Sequence, residues 1–181
     1  MQRVSYLLVF ISFIVVSYTT VSERRTIAKD TELRVNVLNE KYALTQGGRG
    51  LKANKKKGKL FLAENKKRPE ITETRSGLQY EILRTTNGPK PEAGARVTVH
   101  YHGTTLDGNV FDSSVERGKP STFRLDRVIS GWTEGVQLMG IGSKYKFYIP
   151  SKLAYGNETA GGGKIAPGST LIFEIELLNI Q

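Results

Sequence analysis

The sequence predicts an α+β domain, in which antiparallel strands carry one short helix on one face, preceded by a basic, partly helical arm. Three observations carry this. From Gly77 to Leu178 the chain alternates between short runs of period two and turns rich in Gly, Pro and Asn. One stretch, Ser130 to Met139, breaks that alternation and sets Trp132, Val136 and Met139 at i, i+4, i+7, the spacing of a helix face. Charge divides the chain as well: residues 69–181 hold 12 Lys/Arg and 12 Asp/Glu, whereas residues 23–68 hold 14 against 5.

At the N-terminus Arg3 precedes the apolar run Tyr6–Val16. That is signal-peptide length and short of the roughly 20 apolar residues a membrane span needs. The expected division is a signal peptide over residues 1–22, cleaved between Ser17 and Ser22, a basic arm over 23–75 and the domain over 76–181. An uncleaved anchor is the other reading of the same run. Ser22 to Gln46 shows a weak helical pattern, and Gly47-Gly48-Arg49-Gly50 is a flexible break. Leu51 to Arg68 leans towards helix again, with seven lysines, and Pro69 should end it. Its one sizeable apolar cluster, Leu60-Phe61-Leu62, suits a partner contact or packing on the domain. A lysine run is usually a solvated face, and an export signal argues further against nucleic acid, so no nucleic-acid partner is expected.

Within the domain, Gly77–Leu83 alternates as a strand and Asn87-Gly88-Pro89 closes it. Val97–Tyr101 is the next strand, and Asp107-Gly108 turns the chain before Phe111. Ser130 is placed as the N-cap of the short helix, with Gly140 and Gly142 ending it. Lys144–Ile149 alternates, Ser151–Ser169 is a long glycine-rich loop, and Thr170–Leu178 is the final strand. The chain has no cysteine, which rules out disulfides and thiolate metal sites. His100 and His102 share one side of a strand but have no evident third ligand. They read as solvent-side residues, with Val97, Val99 and Tyr101 inward, and neither metal nor cofactor is expected.

Between Val97 and Trp132 aromatic and branched residues recur, and Asp112 stands beside Phe111. Such a set fits an ordinary core or an apolar pocket with one polar group. For each aromatic taken singly, core packing is the better explanation.

Five motifs bear on that choice: Val99-His100-Tyr101-His102-Gly103, Val110-Phe111-Asp112-Ser113-Ser114, Val128-Ile129-Ser130-Gly131-Trp132, Ala154-Tyr155-Gly156 and Leu171–Leu178. In this order they resemble the FKBP-type peptidyl-prolyl cis/trans isomerases, over roughly Ser76 to Gln181. With Phe61–Lys67 ahead of Ser76–Tyr80, the chain looks like the bacterial exported subgroup of macrophage infectivity potentiator type. The resemblance implies a curled antiparallel sheet wrapped around the short helix, with a pocket between them. Trp132 would form its floor, and Tyr101, Phe111, Phe123, Val128, Ile129, Tyr155, Ile165 and Phe173 would line it. Asp112 and Tyr155 would supply the polar contacts of catalysis, and the Ile129 N–H would hold a ligand carbonyl.

The resemblance further implies acceleration of X-Pro rotation in proline-containing polypeptides as exported proteins fold. The location would be the periplasm or outer surface of a bacterium, with macrolides such as rapamycin as inhibitors. In that subgroup the arm mediates dimerisation through a longer helical stalk, so a homodimer through the arm is an expectation here. Three departures should alter substrate preference or loop order: Ser130 where relatives often have proline, Ile165-Ala166-Pro167 for Ile-Pro-Pro, and an Asn157–Lys164 loop one residue longer. Two other readings stay open, a proline-binding chaperone with little turnover and a surface adhesin using its basic arm.

Overall fold

The computed structural model describes residues 50–181; the expected signal peptide, its expected cleavage point and the arm up to Arg49 lie outside the described residues. The fold is built on the central strand β3 (Arg96–Thr105), which pairs with three others. Val97, Val99, Tyr101 and Gly103 point inward while Thr98, His100 and His102 face out, as the alternation predicts. Along one edge β3 pairs with β7 (Leu171–Ile180), from Val97 opposite Ile180 to Thr105 opposite Leu171. Its other edge is shared. β4 (Val110–Ser113) takes His102–Thr104, and β5 (Ser121–Arg124) takes Arg96–Val99.

Beyond β7 lie β6 (Lys144–Ile149), β2 (Gln79–Arg84) and β1 (Ile71–Glu73), so seven antiparallel strands form one open sheet. A register shift after Thr98 leaves Leu178 unpaired opposite β3, a bulge of the kind that bends and twists a strand. Strands β1, β4 and β5, of three or four residues each, lie outside the strands the sequence predicts. They are too short to show a period in the sequence.

Helix α2 (Ser130–Val136) crosses the concave face. Trp132, Val136 and Met139 are buried together, as their spacing predicts. The predicted N-cap is displaced by one residue. Ile129 occupies the cap, with its carbonyl accepting from the N–H groups of Trp132 (2.9 Å) and Thr133 (3.1 Å), and Ser130 is already helical. No side chain caps this helix. The chain beyond Val136 tightens into three-residue turns, Leu138 N–H to Gly135 O and Met139 N–H to Val136 O, which shortens the helix. Gly131 and Gly135 let it lie directly on β6: a Cβ there would come within 2.5 Å of Ile149 Cγ2 and 2.6 Å of Phe147 Cε1, respectively.

Helix α1 (Leu51–Asn65) ends ahead of Pro69 and packs on the sheet through a mostly small and polar line, Asn54, Gly58, Phe61 and Asn65. Phe61 meets Tyr148 with ring centroids 5.8 Å apart, whereas Leu60 stays exposed. Asn65 donates to the Gln79 carbonyl Oε1 at 2.9 Å, and the Gln79 amide donates to Leu62 O (2.9 Å) and Glu73 Oε2 (2.7 Å). Both amides are buried, and these bonds satisfy them. Asn54 donates to Pro167 O at 2.8 Å, tying α1 to the loop ahead of β7. Among the described residues no helix is long and apolar enough to cross a membrane.

Candidate active site

Between α2 and the concave face of the sheet opens a cavity of about 440 Å³, a size typical of small-molecule and peptide-side-chain sites. The ten residues singled out from the sequence all line it. Trp132 sits at the centre of the aromatic set, edge-on to Tyr101 (5.3 Å, 80°), Phe123 (5.6 Å, 87°) and Phe173 (5.2 Å, 83°). Phe111 in turn meets Phe173 at 5.3 Å and 81°. These are the edge-to-face contacts that aromatic quadrupoles favour, so the rings hold one another rigidly.

Gly103 permits that arrangement. A Cβ on it would stand 2.7 Å from Phe111 Cζ and 2.8 Å from Phe173 Cε1, so only a glycine lets both rings press against β3. The loop after β6 supplies the remaining wall. Tyr155 and Ile165 come from it, and a bridge between Ala160 and Ile165 folds its tip inward.

One wall is polar. The Asp112 carboxylate accepts a hydrogen bond from the Tyr101 hydroxyl and pairs with the Arg117 guanidinium. Arg117 also donates to the Tyr101 hydroxyl at 2.9 Å, with its guanidinium carbon 5.6 Å from that ring's centroid. Behind them the Tyr101 N–H donates to Ser114 Oγ at 2.7 Å, and His100 Nδ1 pairs with the same hydroxyl at 3.1 Å. His102 Nδ1 likewise pairs with Ser113 Oγ at 3.0 Å. The paired serines of the Asp112-Ser113-Ser114 motif thus fix the strand on which Tyr101 stands.

These contacts set the charges of the wall. Partial burial pushes the Asp112 carboxyl up, but the bonds from Tyr101 and Arg117 outweigh it and hold the group below its ordinary range. Burial, then the neighbouring Asp112, pushes the Tyr101 hydroxyl up, against the opposing pull of Arg117. Burial and the Asp112 charge raise Tyr155 as well. At neutral pH the cavity therefore presents one ionised carboxylate and two protonated phenols. The Tyr155 hydroxyl, the Ile129 N–H and the buried Trp132 Nε1–H have no hydrogen-bond partner among the described residues.

Sequence reasoning overlooked Arg117, Arg127 and Gly161. Arg127 and Gly161 line the cavity, and Arg117 holds Asp112 from outside it. An isolated arginine five residues from an aspartate is too common a pattern to single out, and Arg127 sits in a three-residue turn, Leu125–Arg127, that has no readable period.

The family model described as FKBP-type peptidyl-prolyl cis-trans isomerase matches residues 88–178. That described as the domain amino terminal to FKBP-type peptidyl-prolyl isomerase matches residues 19–82. The FKBP-type peptidyl-prolyl cis-trans isomerase FkpA of Aeromonas hydrophila is 54% identical over 128 residues, covering 71% of this chain and 47% of the relative. The outer membrane protein MIP of Legionella longbeachae is 48% identical over 128 residues, covering 71% and 54%. The chain thus spans about half the length of these curated relatives. The crystal structure of a peptidyl-prolyl cis-trans isomerase from Pseudomonas syringae is 42% identical, with a TM-score of 0.67, covering 73% of this chain and 96% of that one. Residues 88–178 of that family match take in every lining residue named above, and on this evidence the chain belongs to the FKBP-type peptidyl-prolyl cis-trans isomerase family.

Proposed function

We propose that this protein accelerates cis/trans rotation about X-Pro bonds in polypeptides that fold outside the cytoplasm, with Asp112 and Tyr155 as its catalytic residues. The observation that carries this reading is the aromatic cavity floored by Trp132, into which unpartnered donors and one fixed carboxylate converge. Rotation faces a barrier of about 18–20 kcal/mol because the amide C–N bond has double-bond character. Lowering it requires only that the twisted amide be held better than the planar one. The twisted state is less polar across C–N–O, so an apolar cavity costs it less than it costs the planar amide.

In this mechanism the proline ring sits over Trp132, between Tyr101, Phe123 and Phe173. The Ile129 N–H and the Tyr155 hydroxyl hold substrate carbonyls. The Asp112 carboxylate, kept ionised by Tyr101 and Arg117, favours the twisted amide through its carbonyl carbon, which becomes more positive as the nitrogen withdraws its lone pair. A protease-coupled isomerisation assay on the full chain tests this. Accelerated conversion of the cis peptide, blocked by rapamycin, is expected, and an unchanged rate refutes it. Binding without acceleration would favour the other reading, a proline-binding chaperone. One observation favours that reading: Asp112 is already engaged by Tyr101 and Arg117.

Export rests on the Tyr6–Val16 run and on the name of the Legionella relative, an outer membrane protein. Intact mass from native cells tests it, with loss of about the first 22 residues expected and retained Met1 contradicting cleavage. A homodimer through the arm is the accompanying proposal. Sedimentation of the full chain beside a form starting at Gly50 tests it, and two monomers would refute it.

A further inference from the structure

We propose that Arg127 makes this pocket prefer prolyl bonds flanked by an acidic side chain, an inference that rests on the isomerase reading above. Arg127 lines the same cavity as Trp132 and Ile129. It forms no hydrogen bond or ion pair with another described residue, although its charge acts together with that of Arg124 on the neighbouring Asp126. The carboxylates around it are already engaged. Asp126 is gripped by both Nε (3.0 Å) and a terminal nitrogen (2.6 Å) of Arg124, and Asp112 is held by Arg117 and Tyr101.

A second cation, Lys164, stands by the Phe111 end of the cavity, reaching only the Phe111 carbonyl at 3.5 Å. Glu158, on the loop beyond Tyr155, makes no ion pair with either cation. Arg127 and Lys164 thus stand at the mouth without an ion-paired carboxylate, while the Asp112 charge deeper in the cavity is held by Arg117, in a domain whose residues 69–181 are neutral as a whole. Any charge preference must come from these side chains rather than from a global field.

The position is also fixed. Leu125, at the start of the same turn, is fully buried, its N–H donates to Ala95 O at 3.0 Å, and its carbonyl accepts from Thr133 Oγ1 at 2.5 Å. Arg127 thus projects from an anchored turn two residues before Ile129, whose N–H is free to hold a substrate carbonyl. A residue next to the proline comes within reach of its guanidinium. That group matches a carboxylate with two parallel donors and is weakly hydrated, which suits it to this task better than a lysine.

The pair would be exposed, as Arg127 is, so the effect is modest: about two- to fivefold in kcat/KM, by analogy with exposed ion pairs. The test uses the full chain and peptides with Glu, Gln or Lys immediately before or after the proline. The order Glu, Gln, Lys is expected at one of those positions, narrowing in high salt as the charges are screened. The Glu-to-Gln ratio should fall to one in Arg127→Gln and invert in Arg127→Glu.

Equal rates on Glu and Gln peptides at both positions, or a preference that persists in Arg127→Gln, would overturn the inference. Melting curves show whether each variant folds; if neither does, a wild-type preference insensitive to salt overturns it instead. Turnover without charge preference removes this inference and leaves the isomerase reading standing. Absence of turnover on every peptide removes that reading. The preference is then read from peptide binding, followed by the fluorescence of Trp132, the only tryptophan, and equal affinities overturn it.

Discussion

Replacing Asp112 separates its proposed catalytic role from mere support of the Arg117 turn. The carboxylate accepts from Tyr101 and pairs with Arg117, and its side chain is 46% exposed. A hydrogen bond to a charged group is worth about 1.5–3 kcal/mol. Exposure moves the value towards the lower end, which corresponds to a rate loss of roughly tenfold. As a structural contact the same exposed pair is worth about 0.2–1 kcal/mol, at most about 4 °C in melting temperature for a domain of this size. Asp112→Ala should therefore lower kcat about tenfold while hardly moving the melting curve, and rapamycin affinity should fall less than turnover. Asp112→Asn keeps an acceptor for Tyr101 but loses the charge, so it should resemble the alanine variant if the field matters. Stopped-flow isomerisation, inhibitor titration and calorimetry on both variants decide. Wild-type turnover in Asp112→Ala, with only a lowered melting point, would refute the role assigned to the carboxylate.

The remaining expectations concern pH, packing and the arm. Because Asp112 is held below its ordinary value, its contribution is complete above the unfolded pKa of about 3.9 and lost only as pH falls through the lower folded value. Tyr101 and Tyr155 are raised, so they remain donors up to and beyond about pH 10. The pH–rate profile should be flat from roughly pH 5 to 9, and a midpoint between pH 6 and 8 would contradict these assignments. Gly103→Ala should force Phe111 and Phe173 apart at about 1–3 kcal/mol. It should raise KM as well as lower the melting temperature, and an unchanged KM would show that the rings relax without deforming the cavity. A chain starting at Ser76 should melt below one starting at Gly50, since it lacks the partners of buried Gln79 on α1 and β1. Equal melting would put the boundary at Ser76, where the sequence draws it.

What was legible in the sequence follows from how each feature is encoded. Strands β3 and β7 alternate because one face is buried on α2, β6 alternates only over its first four residues because Tyr148 is buried under α1, and Trp132, Val136 and Met139 mark the helix by their period. The cavity was legible only through the family motifs, since each aromatic by itself reads as core. The packing of α1 was only partly legible. Phe61, in the apolar cluster the sequence marks for packing or a partner contact, does meet Tyr148, but the rest of the contact line, Asn54, Gly58 and Asn65, leaves no apolar stripe and binds through hydrogen bonds to Pro167 and Gln79. The cap of α2 misled because serine favours that position, whereas here the Ile129 carbonyl receives the first turn and no side chain is used. Arg117 escaped because its partners, Asp112 and Tyr101, come together only when β3 and β4 pair.

The claim that the Trp132 cavity turns over prolyl bonds, rather than merely holding them, is tested most directly at equilibrium. Exchange NMR on a proline peptide with substoichiometric full-length protein measures cis/trans interconversion without a coupling protease. Uncatalysed exchange takes tens to hundreds of seconds at 25 °C, too slow for exchange peaks between the two isomers. The expected result is exchange peaks that grow with protein concentration, vanish with rapamycin, and weaken about tenfold in Asp112→Ala. Peptide resonances that shift on binding while interconversion stays at the uncatalysed rate would contradict it.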